Sequence, residues 1–342
     1  MAQVRDIALD LGTSHVLIYM RGRGLILREP AIVAVDRDTN RIRAVGSDAY
    51  RLLGRTPANL QAIRPLRQGL INDFELTRQM LHELVGHALN GRGFFNRPRC
   101  VMSVPSGVSE TEQRSLISVM FDAGMRRTQL LSRPIAAALG VGMEIDQSYG
   151  SMVVDMGAGA TDIAVISANE VVVSSCVPVG GDYFDDAIIR YLRKKHNLLV
   201  GERTAEDIKI SIGSAVPGAG HVNMDVTGRN LISGLPKTVS VTTEEIYEAL
   251  KDPVADLIDS IQAVIERTAP QLASDIFEDG IVLTGGAAAL NGLAEAIYQV
   301  LEIPCGVAEE PDTRVVLGCA RALEDSPAMR ELLGDGRKHW LR

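Results

Sequence analysis

The sequence predicts an α/β fold composed of two similar domains, and three observations support this prediction. One short pattern occurs twice, at residues 6–14 and 152–162: an apolar strand that ends in Asp, a Gly-containing turn, and a second apolar strand. Strand patterns alternate with helical patterns along the rest of the chain, which favours partly parallel sheets. The 342 residues, 46% of them hydrophobic, are enough to form two separate cores.

The first half of the chain begins with strand patterns and continues with helical ones. Strands are predicted at residues 7–11, 16–20, 24–27, 31–35 and 100–104, separated by Gly- and Asp-rich turns. The spacing of leucine and valine predicts a helix over 77–89. Ser109 and Glu112 form a capping-box pattern that opens the next helix, and a Pro-led run of small residues predicts another helix over 134–142.

The second half repeats the alternation of strands and helices. Helices are predicted over 182–196 and 244–268, and residues 222–241 are typical of strands broken by turns. An apolar strand at 280–283 leads into a Gly pair followed by three alanines. Strands and helices in this order predict a second α/β domain.

The repeated hairpin is suited to binding phosphate. A tight turn rich in Gly and Thr lets backbone N–H groups approach phosphate oxygens, because no Cβ stands in the way. Asp10 and Asp155, each near the end of a first strand, can hold a hydrated Mg²⁺. A role of either Asp as a turn-forming residue that caps backbone amides is the alternative. Two such hairpins predict two domains that bind one nucleotide from opposite sides.

The Gly pair after the last predicted strand, Thr284-Gly285-Gly286, is a third candidate element of a nucleotide site. Small residues there let the backbone pass close to a base or ribose, and the start of a following helix favours anions. Taken alone, an ordinary turn after a strand explains the Gly pair equally well. The chain has no GxxxxGK[ST] motif and no GxGxxG after a strand, which disfavours a P-loop or dinucleotide site.

Composition disfavours several other classes of protein. The net charge of −8 argues against nucleic acid as a partner. The four cysteines are scattered without CxxC pairs or His-ligand spacing, which favours buried thiols in a reducing cytosol. No run approaches the roughly 18 to 20 apolar residues of a membrane span, and no signal peptide pattern precedes the first strand. We therefore expect a cytoplasmic protein.

The two hairpins and the Gly pair, taken in order, resemble the actin–Hsp70–sugar kinase superfamily. Within it, six segments resemble the MreB/Mbl family of bacterial actin homologues, and together they extend from about residue 6 to about residue 322. These segments are residues 28–34, 54–57, 63–69, 150–155, 201–206 and 228–237. The resemblance implies an actin-like (ribonuclease H-like, duplicated) fold, with two domains of two subdomains each around a nucleotide cleft.

The resemblance also implies the domain boundaries. The first domain is expected at residues 1–141, with a small subdomain at about 32–64. The second is expected at 142–317, with a small subdomain at about 181–240. A C-terminal helix at about 318–342 is expected to return to the first domain.

Site residues are carried over from the family by their place in matching motifs, and the implied ligands are ATP and Mg²⁺. Thr13, Ser14 and His15 form the first phosphate loop, and Ala158, Gly159 and Ala160 form the second. Glu206, Asp207, Ile208 and Lys209 flank adenosine, and Gly286, Ala287, Ala288 and Ala289 complete the nucleoside pocket. Asp10 and Asp155 are the carboxylates on the Mg²⁺ side.

Several residues depart from the family pattern. Members usually have Glu-Glu-Pro, with a glutamate that orients the attacking water, where this chain has Ser132-Arg133-Pro134. The second loop carries Ala160 in place of a hydroxyl residue, Ser14-His15 replaces Ala-Asn, and Ser211 replaces a glutamate. Because hydrolysis requires a positioned nucleophile, we expect slow or absent ATP hydrolysis and no confident catalytic residue. Arg133 is expected either to contact the γ-phosphate or to be an exposed or salt-bridged surface residue.

The resemblance implies filaments of the protein itself at the inner face of the cell membrane. The implied partners are membrane-bound wall-synthesis and shape proteins and a second MreB. Phe94 and Phe95, flanked by arginines, form a candidate membrane loop, since interfacial aromatics beside cations bind anionic lipid. One phenylalanine folded back onto its own domain is the alternative. Residues 337–342 are a weaker candidate for membrane contact, because a solvated terminus is the simpler interpretation.

Three alternative functions have weaker support in the sequence. A sugar kinase needs a catalytic carboxylate over a substrate hydroxyl, and no residue is a candidate for it. A chaperone-type ATPase needs a peptide-binding domain after the nucleotide-binding domains. A degenerate paralogue that copolymerises with a true MreB is compatible with Arg133, Ala160 and Ser211.

Overall fold

The structure is a computed structural model that describes residues 6–54, 59–89, 98–218, 220, 222–324, 329 and 332–333. The chain divides into two compact units. The first unit is Met1–Ser148, Ala168–Val171 and Thr313–Arg342, and the second is Tyr149–Ser167 and Val172–Asp312. The finer boundaries expected for domains and subdomains stay predictions.

The strands confirm the predicted hairpins and extend several predicted segments. They are Ile7–Leu11 (β1), His15–Met20 (β2), Gly24–Pro30 (β3), Val33–Asp36 (β4), Ile42–Val45 (β5), Leu60–Ile63 (β6), Leu66–Arg67 (β7), Leu70–Ile71 (β8), Arg99–Val104 (β9), Arg127–Ser132 (β10), Ser151–Met156 (β11), Thr161–Ser167 (β12), Glu170–Val177 (β13), Leu198–Leu199 (β14), Asn223–Asn230 (β15), Pro236–Thr242 (β16), Ile281–Thr284 (β17) and Cys305–Val307 (β18).

Two of the helices in the described part of the chain, α1 and α8, were not predicted from the sequence. The helices are Gly46–Tyr50 (α1), Phe74–Ala88 (α2), Glu110–Asp122 (α3), Arg133–Val141 (α4), Gly181–His196 (α5), Glu202–Ile212 (α6), Thr243–Glu266 (α7), Pro270–Asp279 (α8), Leu293–Leu301 (α9) and Arg314–Ala322 (α10). The predicted capping box of Ser109 and Glu112 is confirmed at the start of α3. Helix α10 begins at Arg314, before the predicted start at 318.

Each unit contains a five-stranded sheet with the same strand arrangement. The order in the first unit is β3-β2-β1-β9-β10, and the order in the second is β13-β12-β11-β17-β18. In both, the first strand of the hairpin is the central strand of the sheet; it is antiparallel to the second hairpin strand and parallel to the strand on its other side, β9 or β17. The α/β class with partly parallel sheets is therefore confirmed, and the fold is duplicated at the level of sheet topology.

Smaller sheets accompany the two large ones. The first unit carries β5-β4-β6 and the β7-β8 ribbon, and the second carries β14-β15-β16. The ribbon β7-β8 turns at Gln68 and Gly69, which both have positive φ. This turn contacts the first hairpin through Gly69 and Thr13.

The core of the first unit lies on one face of its large sheet. Ile7, Leu9 and Leu11 of β1 pack there with apolar residues of α2 and α3 such as Leu84 and Met120. Since successive residues of a strand face opposite sides, Asp10 of β1 faces away from this core. Helix α10 packs on the same sheet at β1, β9 and β2, and helix α4 packs on it at β10 and β9.

The second unit follows the same plan. Met152, Val154 and Met156 of β11 lie in its core together with Phe184 of α5 and Leu257 of α7. The alternate residues of β11, including the second hairpin's aspartate, face the other side of the sheet. Each aspartate thus lies on the face of its sheet opposite to the main core of its unit.

Helices α4 and α10 touch through their backbones. A Cβ atom on Gly318 would lie 1.7 Å from the carbonyl oxygen of Ala136, and one on Gly140 would lie 1.9 Å from that of Arg314. Real Cβ atoms do not approach this closely, so both positions require glycine. The contact fixes α4, whose first residue is Arg133, against the sheet.

Candidate functional site

The first hairpin closes in a tight two-residue turn. Strand pairing continues to Leu11 opposite Val16, and the Gly12 N–H donates to the His15 carbonyl oxygen at 3.0 Å. The tip consists of Thr13 and Ser14. The Ser14 hydroxyl lies 3.0 Å from Nδ1 of His15, so these predicted loop residues are adjacent in space as well as in sequence.

The Thr13 side chain connects this turn to the β7-β8 ribbon. Its Oγ1 accepts a hydrogen bond from the Gly69 N–H at 2.8 Å, and the pair is buried. Gly69 has a φ of +74°, a conformation that residues with a Cβ rarely adopt. The ribbon therefore holds the tip of the first hairpin in place, a contact that the sequence did not predict.

The second hairpin has the same hydrogen-bond pattern. Pairing continues to Met156 opposite Thr161, and the Gly157 N–H donates to the Ala160 carbonyl oxygen at 2.9 Å. Its tip consists of Ala158 and Gly159. The two predicted phosphate loops are therefore equivalent residue by residue, and the second one lacks the hydroxyl groups of the first.

Each hairpin aspartate accepts a hydrogen bond from a hydroxyl group on the neighbouring parallel strand. The Ser103 Oγ of β9 donates to Asp10 Oδ1 at 2.5 Å, and the Thr284 Oγ1 of β17 donates to Asp155 Oδ1 at 2.8 Å. Ser103 and Thr284 occupy equivalent strands and are almost completely buried. The sequence pointed to Thr284 only as part of the Gly-pair turn and did not point to Ser103, although both lie at the ends of short apolar strands followed by a turn.

A guanidinium group lies beside the first aspartate. Nη2 of Arg133 is 3.5 Å from Asp10 Oδ1 and 3.5 Å from the Leu11 carbonyl oxygen. Arg133 is 6% exposed, so the expectation of a surface arginine was wrong, although the expected ion pair is present. Ser132 precedes it as the N-cap of α4 and makes no side-chain cap hydrogen bond.

A second carboxylate lies beside the second aspartate. Asp155 and Asp162 are direct partners across β11 and β12, and both are nearly inaccessible. Directly opposed residues of antiparallel strands carry their side chains on the same face. Two carboxylates and the Thr284 hydroxyl are oxygen donors of the kind that a hydrated Mg²⁺ accepts, so this donor set fits the ion.

The donor set around Asp10 fits a divalent cation less well. Its Oδ1 already accepts from Ser103, and a positive guanidinium lies 3.5 Å away. A second cation at the same carboxylate is repelled by the first. In the part of the chain that the structure describes, no group of three or more His, Cys, Asp and Glu side chains could hold a metal alone.

The start of α5 is fixed to the second hairpin. The Gly181 N–H donates to the Gly157 carbonyl oxygen at 3.0 Å, and the Asp182 N–H donates to that of Ala158 at 2.8 Å. A Cβ on Gly180 would lie 2.5 Å from the Ala158 oxygen, so only glycine allows this approach. The loop carbonyls point to the helix, which leaves the opposite side of the turn for a ligand.

Lys209 connects α6 to the first turns of α5. Its Nζ donates to the Gly181 carbonyl oxygen at 3.0 Å and to the Asp185 carboxylate at 2.9 Å. Burial raises the pKa of Asp185 to about 6, although the Lys209 charge opposes the rise. This lysine, expected beside adenosine, thus supports the second hairpin through α5.

The other predicted residues of α6 differ in exposure. Asp207 is exposed, Glu206 is half-buried, and Ile208 lies in the core with no accessible surface. Four consecutive residues cover every side of a helix, so they do not share one face. The Ile208 side chain contributes to the core, and its role beside a nucleotide stays a prediction.

The Gly pair after β17 lies against the second hairpin. Gly285 has a φ of +83°, and a Cβ there would lie 2.2 Å from the Met156 carbonyl oxygen. Residues Gly286–Ala289 form a short 3₁₀ turn in which Gly286 and Ala289 are exposed and Ala288 is buried. The second unit therefore brings the Asp155 strand, its loop and the predicted nucleoside turn together.

The predicted membrane loop, Phe94 and Phe95, lies outside the described residues, and so do residues 337–342. Within the described ranges, no helix combines the length and the apolar character that crossing a membrane requires. Membrane contact through the phenylalanines stays a prediction from the sequence.

Comparisons with known proteins agree on one family. A family model described as MreB/Mbl protein matches residues 4–331. The chain is 43% identical over 321 residues to the cell shape-determining protein Mbl of Bacillus subtilis, covering 94% of this chain and 96% of that protein. It is also 43% identical over 323 residues to MreB of Escherichia coli K12, covering 93% of each.

Solved structures agree on the fold. The crystal structure of MreB5 of Spiroplasma citri bound to ADP matches with a TM-score of 0.91 and 32% identity, covering 97% of this chain and 99% of that chain. A MamK double helical filament matches with a TM-score of 0.80 over 94% of this chain and 99% of the MamK chain. At 21% identity, the second likeness shows the fold alone. The predicted actin-like fold is confirmed.

Proposed function

Because the chain belongs to the MreB/Mbl family of cell shape-determining proteins, we propose that it binds ATP with Mg²⁺ and assembles into filaments. The filaments lie in the cytoplasm, at the inner face of the cell membrane. There they organise cell-wall synthesis together with membrane-bound wall-synthesis and shape proteins.

The duplicated hairpin is the observation that carries nucleotide binding. Each hairpin has a tight turn after its aspartate. A buried hydroxyl group donates a hydrogen bond to that aspartate, at 2.5 Å from Ser103 to Asp10 and at 2.8 Å from Thr284 to Asp155. Backbone N–H groups in such turns bind phosphate oxygens. The similarity to a relative that was crystallised with ADP supports the same ligand class for this chain.

A hydrated Mg²⁺ would be held by Asp155 and Asp162, with Thr284 orienting the first of these carboxylates. When bound, the ion offsets the negative charge of the phosphates. The two carboxylates are directly opposed across β11 and β12, so both can contribute oxygen atoms to one ion.

We propose that hydrolysis is slow or absent. Arg133 stands where a glutamate is expected to orient the attacking water, and its side chain is buried beside Asp10. A guanidinium donates hydrogen bonds and cannot accept a proton from water. Phosphoryl transfer to water depends on such positioning, so the nucleotide acts as a structural ligand.

The tip of the β15-β16 hairpin is a candidate surface for subunit contacts. Ile232 is 81% exposed and Leu235 is 65% exposed. The Asn230 side chain accepts from the Ile232 N–H at 2.8 Å and the Ser233 N–H at 3.2 Å, which fixes the turn. A rigid apolar tip favours contact with another protein surface, and a head-to-tail contact that does not close gives filaments.

The experiment that tests the function is sedimentation with Mg²⁺-ATP, with phosphate release followed in the same tube. We expect pelleting with little phosphate release, and reduced pelleting of Ile232→Ser with unchanged nucleotide binding. Val300→Ser is the matched control, since Val300 is also exposed in the second unit, at 60%. Steady phosphate release would contradict the proposal on hydrolysis.

A second candidate function is that of a paralogue that copolymerises with a true MreB. The buried Arg133 beside Asp10 favours it, because this pair changes one of the two phosphate-binding hairpins. Absence of pelleting alone, followed by pelleting when a true MreB is added, would support this function over self-assembly.

The membrane proposal depends on Phe94 and Phe95. We expect the protein to bind vesicles that contain anionic lipid, and the variant with both phenylalanines changed to serine to lose this binding. Unchanged vesicle binding of that variant would contradict the proposed anchor.

A further inference from the structure

The charge of Asp10 is already balanced inside the first unit. The Ser103 hydroxyl and the Arg133 guanidinium both lie at Oδ1, at 2.5 and 3.5 Å. The side chains of Asp10 and Arg133 are 15% and 7% exposed, so solvent and salt screen the pair only weakly. Removal of either member would leave a buried charge without its partner, which proteins avoid.

The same guanidinium adjoins the first phosphate loop on two sides. Nη2 lies 3.5 Å from the carbonyl oxygen of Leu11, directly before the turn. Nη1 lies 3.0 Å from the place that a Cβ on Gly69 would take. The Gly69 N–H in turn holds Thr13 at the tip of the loop. Arg133 therefore brings a fixed positive charge to the base of a loop suited to phosphate.

The second hairpin has the opposite arrangement. Asp155 faces Asp162 in direct cross-strand register, whereas Asp10 faces Leu17 and has the guanidinium of Arg133 beside it. A pair of carboxylates attracts a divalent cation, whereas a carboxylate paired with a guanidinium has no net charge with which to attract one. The two hairpins thus differ in the cation that each can accept.

We propose that Arg133 is the resident cation of the first hairpin. It neutralises Asp10 and keeps Asp10 from ligating a divalent cation, so that Asp155 and Asp162 of the second unit are the carboxylates that hold one. Its positive charge lies at the base of the first loop and favours the phosphate groups of a nucleoside di- or triphosphate there. This inference rests on the proposed nucleotide binding and assigns Arg133 a positioning role in it.

The test measures Mn²⁺ binding in the presence of ADP, by the electron paramagnetic resonance signal of free Mn²⁺. Mn²⁺ replaces Mg²⁺ at oxygen sites, and ADP removes hydrolysis from the readout. We expect Asp155→Asn to weaken Mn²⁺ binding by at least about tenfold and Asp10→Asn by less than about twofold. Equal weakening by the two variants would overturn the proposal.

Arg133 variants test the cause of this difference. In an Arg133→Gln background Asp10 loses its counterion, so Asp10→Asn should now weaken Mn²⁺ binding by about fivefold or more. Arg133→Lys keeps the charge and should behave like the wild type. If Asp10→Asn remains silent in the Arg133→Gln background, Arg133 is not what excludes the metal, and the proposal is wrong.

Arg99→Gln is the matched control. Arg99 forms an ion pair with Asp6 at 2.7 Å, at the opposite end of the same two strands β1 and β9. The Arg99→Gln substitution removes a guanidinium from the same sheet at a site that does not contact the first loop, so it should leave Mn²⁺ affinity unchanged. If Asp10→Asn weakened Mn²⁺ binding as much in the Arg99→Gln background as in the Arg133→Gln background, the effect would be a general one on folding and would count against the proposal.

A separate measurement distinguishes failure of this inference from failure of the proposed function. If the wild type binds no ADP with or without Mn²⁺, the proposed nucleotide binding is wrong. The interaction between Asp10 and Arg133 is then measured by a double-mutant cycle, in which the free energy of unfolding is determined for Asp10→Asn, Arg133→Gln and the double variant. Coupling between the two substitutions would support the internal ion pair, and additive effects would overturn it.

Discussion

The two hairpins of this chain have the same backbone and different charges. In the first, a buried arginine lies beside the aspartate, and in the second, a buried aspartate occupies the facing position. The hydrogen bonds that close the turns, at 3.0 and 2.9 Å, are the same. The comparison teaches that the same strand topology gives two turns of the same shape, while a few side chains around each turn give its aspartate a different electrostatic environment.

The largest effect is expected where the backbone itself approaches the second hairpin. Gly285→Ala places a Cβ near 2.2 Å from the Met156 oxygen at a φ of +83°, which no small movement relieves. We expect the free energy of unfolding to fall by more than about 3 kcal/mol in urea titration. Val104→Ala changes the equivalent position after Ser103, and it should cost only about 1–2 kcal/mol. Equal losses would show that the two hairpins do not differ in backbone contact.

Removing the hydroxyl group that donates to each hairpin aspartate tests the difference in charge between the two hairpins. Thr284→Val leaves Asp155 beside another carboxylate and should lower the free energy of unfolding by about 2 kcal/mol. Ser103→Ala leaves Asp10 with its guanidinium and should cost about 1 kcal/mol. Both values come from urea titration at neutral pH. A larger loss for Ser103→Ala would mean that Arg133 does not support Asp10.

The smallest expected effect on stability concerns Asp185, which forms an ion pair with Lys209 next to the second hairpin. Burial raises the pKa of Asp185 to about 6, well above the usual range of an aspartate. The folded state therefore binds more protons than the unfolded state between pH 4 and 6, and stability falls as pH rises through this window. Between pH 5 and 7 we expect a loss of about 1 kcal/mol relative to Asp185→Asn. Thermal unfolding of both proteins across this range measures it, and parallel curves would contradict the raised pKa.

Some of this site could be predicted from sequence because its signals are local. An aspartate, a glycine and two apolar strands within about ten residues indicate a hairpin, since hairpin pairing is set by neighbours in the chain. The capping box of Ser109 and Glu112 is local for the same reason. The repeated hairpin itself predicted two similar halves and a nucleotide, and the family resemblance added ATP and the individual site residues.

The remaining contacts depend on strands and helices that are distant in sequence. Ser103 reaches Asp10 only because β9 pairs with β1, and that register cannot be read from either strand alone. Arg133 reaches Asp10 because α4 begins at the end of β10, in the same sheet. Lys209 was assigned to adenosine by its motif, whereas its hydrogen bonds depend on how α6 packs on α5.

The glycine contact between α4 and α10 has a consequence for biosynthesis. Helix α10 belongs to the first unit but follows the whole second unit along the chain. During translation, the second unit is therefore complete before α10 exists to hold α4. The helix that begins with Arg133 obtains its packing partner late, and the first hairpin receives its full set of supports only after the second one can already be folded.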